Sequence, residues 1–232
     1  MIASQIYSAA WRAVVVVLSV EIAVVTALRY FIGTEAPPPP ILANAFAHPF
    51  LILHATGGVA ALLLGPLQFV LRIRTRRPGF HRATGRLYVV ACALAAPTGL
   101  VLALGTTAGP VVSVGFAIPA ILCALFTWLG WRAAVERRFG DHSDWMLRSY
   151  AVIATAITLR LLIPASAFLD FDFLAAYRVN SWLAWMINLV LVEYAIRRDR
   201  GSAAHPEISP PTARRTSPRT KPQGRAAASP SA

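Results

Sequence analysis

The chain has 232 residues, of which 56% are hydrophobic and only 14% charged, and its mean hydropathy is positive. That balance excludes an ordinary soluble domain and places the chain among membrane proteins. The formal net charge of +12 gathers in the connections between apolar runs and in the tail, where arginine sets membrane orientation, so it argues for no nucleic-acid partner.

A membrane-crossing helix needs about 20 mostly apolar residues to span about 30 Å of hydrocarbon. Six stretches meet that requirement: Ala13 to Ile32, Phe50 to Leu71, Leu87 to Gly105, Val111 to Trp131, Leu147 to Phe168 and Trp182 to Ile196. The first starts directly after Trp11 and Arg12, lacks a small-x-small cleavage site and carries Glu21 midway, which reads as a retained helix rather than a signal peptide. The link from Gly33 to Pro49 holds four consecutive prolines, Pro37 to Pro40, and is stiff and extended.

Basic residues alternate between connections. Gly33 to Pro49 has none, Arg72 to Arg86 has six arginines, Thr106 to Pro110 has none, Arg132 to Arg148 has four, and Asp170 to Arg178 has one against two aspartates. The tail is basic again, which places both termini in the cytoplasm. The expected fold is therefore an all-α membrane protein, a six-transmembrane-helix bundle. Residues 1–49 form a first helix and external link, 50–200 a five-helix core, and 201–232 a disordered basic tail, poor in large apolar residues. In that tail Arg214, Arg215, Arg219, Lys221 and Arg225 are placed to meet anionic headgroups.

Two stretches share a pattern. Arg76 to Tyr88 and Arg137 to Tyr150 both read Arg-Arg-x-Gly-x-His, followed by Arg-x-Tyr after four intervening residues in one copy and five in the other. This reads as an internal repeat of two parallel helical hairpins with His81 and His142 at equivalent points, each at the cytoplasmic base of an ascending helix. Facing histidines suit axial ligation of a b-type haem or a metal ion. The alternative is that both cap helix starts at the interface. Arg86 and Arg148 either anchor helices at the headgroups or pair with haem propionates, and Tyr88 and Tyr150 are expected at headgroup level beside them.

Arg160 lies 12 residues beyond Arg148, well inside the fifth span, where a lone charge costs several kcal/mol, so it calls for a partner or a wet cavity. Glu21 and His54 are the candidates. Pro164, four residues on, removes a hydrogen bond to the Arg160 carbonyl and marks an expected kink. His54 opens a run of small residues suited to close helix approach and has no counterpart in the second hairpin, where Gly115 stands. Gln68, Asn188 and Glu193 read as interhelical hydrogen-bonding residues, with Glu193 also placed to neutralise an inner arginine. The two cysteines, Cys92 and Cys123, have neither metal-ligand nor redox CxxC spacing and read as packing residues.

The succession of His54, Gly65-Pro66-Leu67-Gln68, Phe80-His81-Arg82, Gly85-Arg86-Leu87-Tyr88, His142, Trp145-Met146, Arg148-Ser149-Tyr150-Ala151 and Leu159-Arg160-Leu161 resembles the family catalogued as domain of unknown function 2306. The resemblance covers about residues 50 to 195 and departs at Ser143, where the pattern has arginine. It implies a bacterial multi-pass protein, in the inner membrane, with no assigned role. A looser likeness to transmembrane b-type cytochromes supports a single inner haem at most, because the outer half offers only His54 and His48.

Three functions follow. One is a haem-binding or redox protein using His81, His142, Arg86 and Arg148. Another binds or transports a small molecule, ion, quinone or lipid through an outer cavity lined by His54, Arg160 and Glu21. The last is an assembly subunit of a membrane-protein partner. No phosphate loop, nucleophile elbow or His-Glu-x-x-His motif is present, so the sequence leaves enzyme status open.

Overall fold

The computed structural model describes residues 9–32 and 43–204, and these are helical apart from short connections. The four-proline link and most of the basic tail lie outside the described residues. In chain order the helices are α1 (Ala9–Ala27, continued by a π-helical turn Leu28–Ile32), α2 (Ala47–Gln68), α3 (Leu71–Arg76), α4 (Pro78–Leu104), α5 (Pro110–Val135), α6 (Phe139–Ile153), α7 (Thr155–Phe168) and α8 (Phe173–Ala204). Pro78 and Pro110 open α4 and α5, where the missing N–H has no intrahelical role to lose.

Among the described residues, five helical stretches are long and apolar enough to cross a membrane: α2, α4, α5, α6 with α7 taken together, and α8. The apolar part of α1, Ala13–Ala27, is shorter. The expected kink at Pro164 is not where the fifth span changes. Helix α7 runs through Pro164, and the break falls at Ala154, between α6 and α7. There the Ile157 N–H bonds back only three residues, to the Ala154 carbonyl, at 2.9 Å. Helix α8 is also longer than its apolar window and continues past Arg200 to Ala204.

The tightest helix pair is α2 with α4, followed by α4 with α5 and α5 with α6, while α8 packs on α5, α6 and α7. Small residues make the first contact possible. Gly57 of α2 meets Ala91 and Ala95 of α4, and Ala61 shares a core cluster with Ala91; a Cβ built on Gly57 would lie 2.7 Å from the Ala91 carbonyl oxygen. Backbones this close gain dispersion and helix–helix packing that lipid cannot supply.

The core runs through Ala61, Tyr88, Cys92, Cys123, Met146 and Tyr150. Here the expected headgroup position of the two tyrosines is overturned: Tyr88 is 1% exposed and Tyr150 is 9% exposed. A buried phenol is tolerated when its hydroxyl finds partners. The Tyr88 hydroxyl is 2.9 Å from the Ser149 hydroxyl, which lies 2.7 Å from that of Thr127. The Tyr150 hydroxyl donates to the Leu62 carbonyl at 3.5 Å and lies 3.4 Å from the Ser19 hydroxyl. The Tyr150 ring seats on Gly65, where a Cβ would come within 2.2 Å of it.

Candidate functional site

Two groups of polar residues stand out, one at the start of α4 and α6 and one between α1 and α7.

At the first, His81 and His142 occupy the same place in their helices. Arg77 caps α4 and Arg138 caps α6, and the backbone N–H of each histidine donates to the cap carbonyl, at 3.1 Å and 2.9 Å. The imidazoles lie within electrostatic reach of each other, with Arg74 and Arg82 also acting on His81. His142 Nδ1 is 2.9 Å from the Gly130 carbonyl oxygen, so it carries the proton and Nε2 is the free acceptor. His81 Nδ1 is buried without a hydrogen-bond partner.

The two arginines expected beside them are in unlike surroundings. Arg148 donates through Nε and Nη2 to Glu193 Oε2, at 3.0 and 2.8 Å, and its guanidinium lies 4.7 Å from the centre of the Trp145 ring. That engagement ties α6 to α8. Arg86 is exposed and makes no hydrogen bond or ion pair with the described residues. Among the described residues, no group of three or more His, Cys, Asp or Glu side chains is placed to hold a metal ion.

The second group surrounds a cavity of about 240 Å³ between α1 and α7. Its charged lining is Glu21, Arg29 and Arg160, set among Leu18, Ile22 and Leu161. Arg160 Nη2 donates to the Thr26 hydroxyl at 3.1 Å, and Nη1 donates to the Ala156 carbonyl one turn back at 3.2 Å. The guanidinium is thus held through both Nη atoms, and Glu21 lines the same cavity. Helical spacing explains the meeting: Leu18, Glu21, Ile22, Val25 and Arg29 recur along one stripe of α1, and Ile157, Arg160 and Leu161 along one stripe of α7.

His54 is not among the described residues lining that cavity. Its Nδ1 bonds the Ala95 carbonyl at 2.9 Å, and its ring rests on Gly99, where a Cβ would come within 2.8 Å of Cε1. It still lies within electrostatic reach of Arg160. Arg29 belongs to the site and was not among the expected residues. The signal was present: it is a cation inside the apolar run of the first helix, two turns beyond Glu21.

The other polar insertions serve packing. Gln68 Nε2 donates to the Thr84 hydroxyl at 2.7 Å, and Asn188 accepts from Thr158 at 2.9 Å and donates to the Ala151 carbonyl at 3.1 Å.

Residues 51–196 match the family model described as "Predicted membrane protein (DUF2306)". The chain belongs to this family. In this DUF2306 protein the matched stretch contains His54, His81, His142, Arg148 and Arg160, while Glu21 and Arg29, the α1 side of the cavity, lie before it. The family description names a predicted membrane protein and no activity. No curated protein and no solved structure matches the chain.

Proposed function

We propose that this protein binds a small amphipathic anion within the bilayer, in the cavity between α1 and α7. The observation that carries the reading is the meeting of Glu21, Arg29 and Arg160 at one apolar-walled space of about 240 Å³. Ionisable groups inside a membrane span are costly and mark ligand paths and binding sites by default. Two guanidinium groups lining one apolar-walled space suit a carboxylate or phosphate head. Leu18, Ile22 and Leu161 suit the adjoining hydrocarbon. The volume is below that of a typical drug-sized pocket, so the site fits a head and the first carbons of a chain, with the rest lying along the helices.

Around that site we propose six spans in the inner membrane, with α1 as the shortest, both termini cytoplasmic, and two repeated hairpins in a core at 50–200 between an N-terminal unit (1–49) and a basic tail (201–232). The equal placement of His81 and His142 behind Arg77 and Arg138 supports the repeat, and the alternation of arginine between connections supports the orientation. Reporter fusions in each connection test this, and a cytoplasmic signal from the connection at Thr106 to Pro110 would refute it.

Octanoate and octanol test the binding reading, because they share a chain and differ in head charge. Octanoate raises the melting temperature of the detergent-purified protein, octanol does not, and Arg160→Leu removes the difference. Equal shifts from both compounds, or an octanoate shift retained in Arg160→Leu, would refute the anion site.

The imidazole pair supports a second reading, a b-type haem held by His81 and His142. The observation in its favour is His142 Nδ1 donating to a backbone carbonyl, the arrangement that orients a ligating Nε2. A Soret band in protein purified with haem present, lost in His142→Ala, is the expected mark; no Soret band under those conditions removes this reading.

A further inference from the structure

The two copies of the Arg-Arg-x-Gly-x-His pattern differ in how their arginines are matched. In and around the second copy acidic residues stand beside the cations. Arg132 pairs with Glu136 at 2.7 Å, Arg138 pairs with Glu136 at 2.6 Å and also with Asp141, and Arg148 pairs with Glu193 of α8 at 2.8 Å. The first copy has no such partners. Residues 71–86 hold six arginines, Arg72, Arg74, Arg76, Arg77, Arg82 and Arg86, and not one aspartate or glutamate. All six are exposed, and none forms an ion pair among the described residues. Membrane orientation needs only a net positive connection. The second connection achieves that with three of its four arginines paired, so orientation alone does not call for six unmatched ones.

The fold gathers these charges at one end of the α2–α4 hairpin. Gln68, the last residue of α2, bonds the Thr84 hydroxyl at 2.7 Å, which sets the end of α2 level with the second turn of α4. Helix α3 therefore closes the end of the hairpin, packed against both α2 and α4. Arg72 and Arg76 are four residues apart on α3, and Arg82 and Arg86 are four apart on α4, so each pair shares a face of its helix. Like charges at that spacing repel each other. Leu71, Phe80 and Leu87 are exposed among the arginines, which makes the surface apolar as well as cationic.

We infer that this end of the hairpin, α3 with the first two turns of α4, is a docking surface for the anionic phospholipids of the leaflet it meets. Helices α2 and α4 are each long and apolar enough to cross a membrane, so their connection emerges at a bilayer surface, where anionic headgroups attract clustered arginines. A phosphate seated between Arg72 and Arg76, or between Arg82 and Arg86, replaces a repulsion with two charge-assisted contacts, and the planar guanidinium fork matches its oxygens. Leu71, Phe80 and Leu87 give the first carbons of the acyl chains something to lie against, which favours a lipid over a soluble phosphate. The surface shares no lining residue with the α1–α7 cavity and does not depend on it.

The full chain in a non-ionic detergent is titrated with phosphatidylglycerol or with phosphatidylcholine of the same acyl chains, and its melting temperature is followed. Phosphatidylglycerol is expected to raise it, while phosphatidylcholine and soluble glycerol 3-phosphate are not. In about 1 M salt, where the Debye length is about 3 Å, the shift is expected to vanish. Combining Arg72→Gln, Arg76→Gln, Arg82→Gln and Arg86→Gln removes the shift, Arg72→Gln with Arg76→Gln alone removes part of it, and Arg132→Gln with Arg138→Gln leaves it in place. No shift from phosphatidylglycerol, equal shifts from the two lipids, the same shift from glycerol 3-phosphate or a shift that survives salt would overturn the inference. So would a shift retained in the fourfold and twofold variants of the first connection, or lost in the variant of the second.

Discussion

Arg160 is held from two sides before any ligand arrives, by the Thr26 hydroxyl and by the carbonyl of Ala156. Those bonds hold both Nη atoms of the guanidinium, a planar fork of the shape that suits a carboxylate head. A hydrogen bond to a charged group contributes about 1.5–3 kcal/mol, which corresponds to roughly 10- to 100-fold in affinity. Arg160→Leu is therefore expected to weaken octanoate by about that factor, and Arg160→Lys, which keeps the charge and loses the fork, by less. Sequence reasoning reached Arg160 and Glu21 because a charge inside an apolar run is conspicuous. It missed Arg29, because an arginine near the end of a span reads as a boundary residue. It placed Tyr88 and Tyr150 at the headgroups for the same reason: an Arg-x-Tyr pattern looks like an interfacial anchor, and the partners that bury the phenols, Ser149, Ser19 and Leu62, are distant in sequence.

At the level of elements, the α2–α4 pair rests on bare backbone. Gly57 and Gly58 are adjacent in sequence and opposite in environment. A Cβ at Gly57 meets the Ala91 carbonyl at 2.7 Å and the Ala95 nitrogen at 2.8 Å, whereas at Gly58 nothing lies within 4 Å. Backbone atoms cannot rotate aside as a side chain can, so Gly57→Ala must part the helices, at a cost of about 1–3 kcal/mol. Gly58→Ala is expected to be neutral or to stabilise by about 0.5–1 kcal/mol, through the lower entropy of the unfolded chain. Thermal unfolding in detergent measures both, and equal melting temperatures for the two variants would contradict this packing. The apolar runs made the helices legible, and the small-residue run after His54 made the close approach legible. The break at Ala154 was not legible. No glycine or proline stands there, and the nearest sequence signal, Pro164, lies inside a helix that continues through it.

For the molecule as a whole, α1 touches chiefly α2 and α7, and with its π-helical turn it supplies two of the three charges in the cavity. The N-terminal ends of α4 and α6 carry the imidazoles. The same short pattern occurs twice in the sequence, and His81 and His142 lie within electrostatic reach of each other. The cavity was readable only as a requirement, that Arg160 have company, because which helix lies beside α7 is a tertiary fact. Its most direct test is photolabelling with an octanoate analogue carrying a diazirine near the head, mapped by mass spectrometry. The label is expected on the α1 and α7 peptides that contain Glu21 and Arg160, and to be displaced by octanoate but not by octanol. Label spread over the lipid-facing sides of α4, α5 and α8, and not displaced by octanoate, would contradict the account.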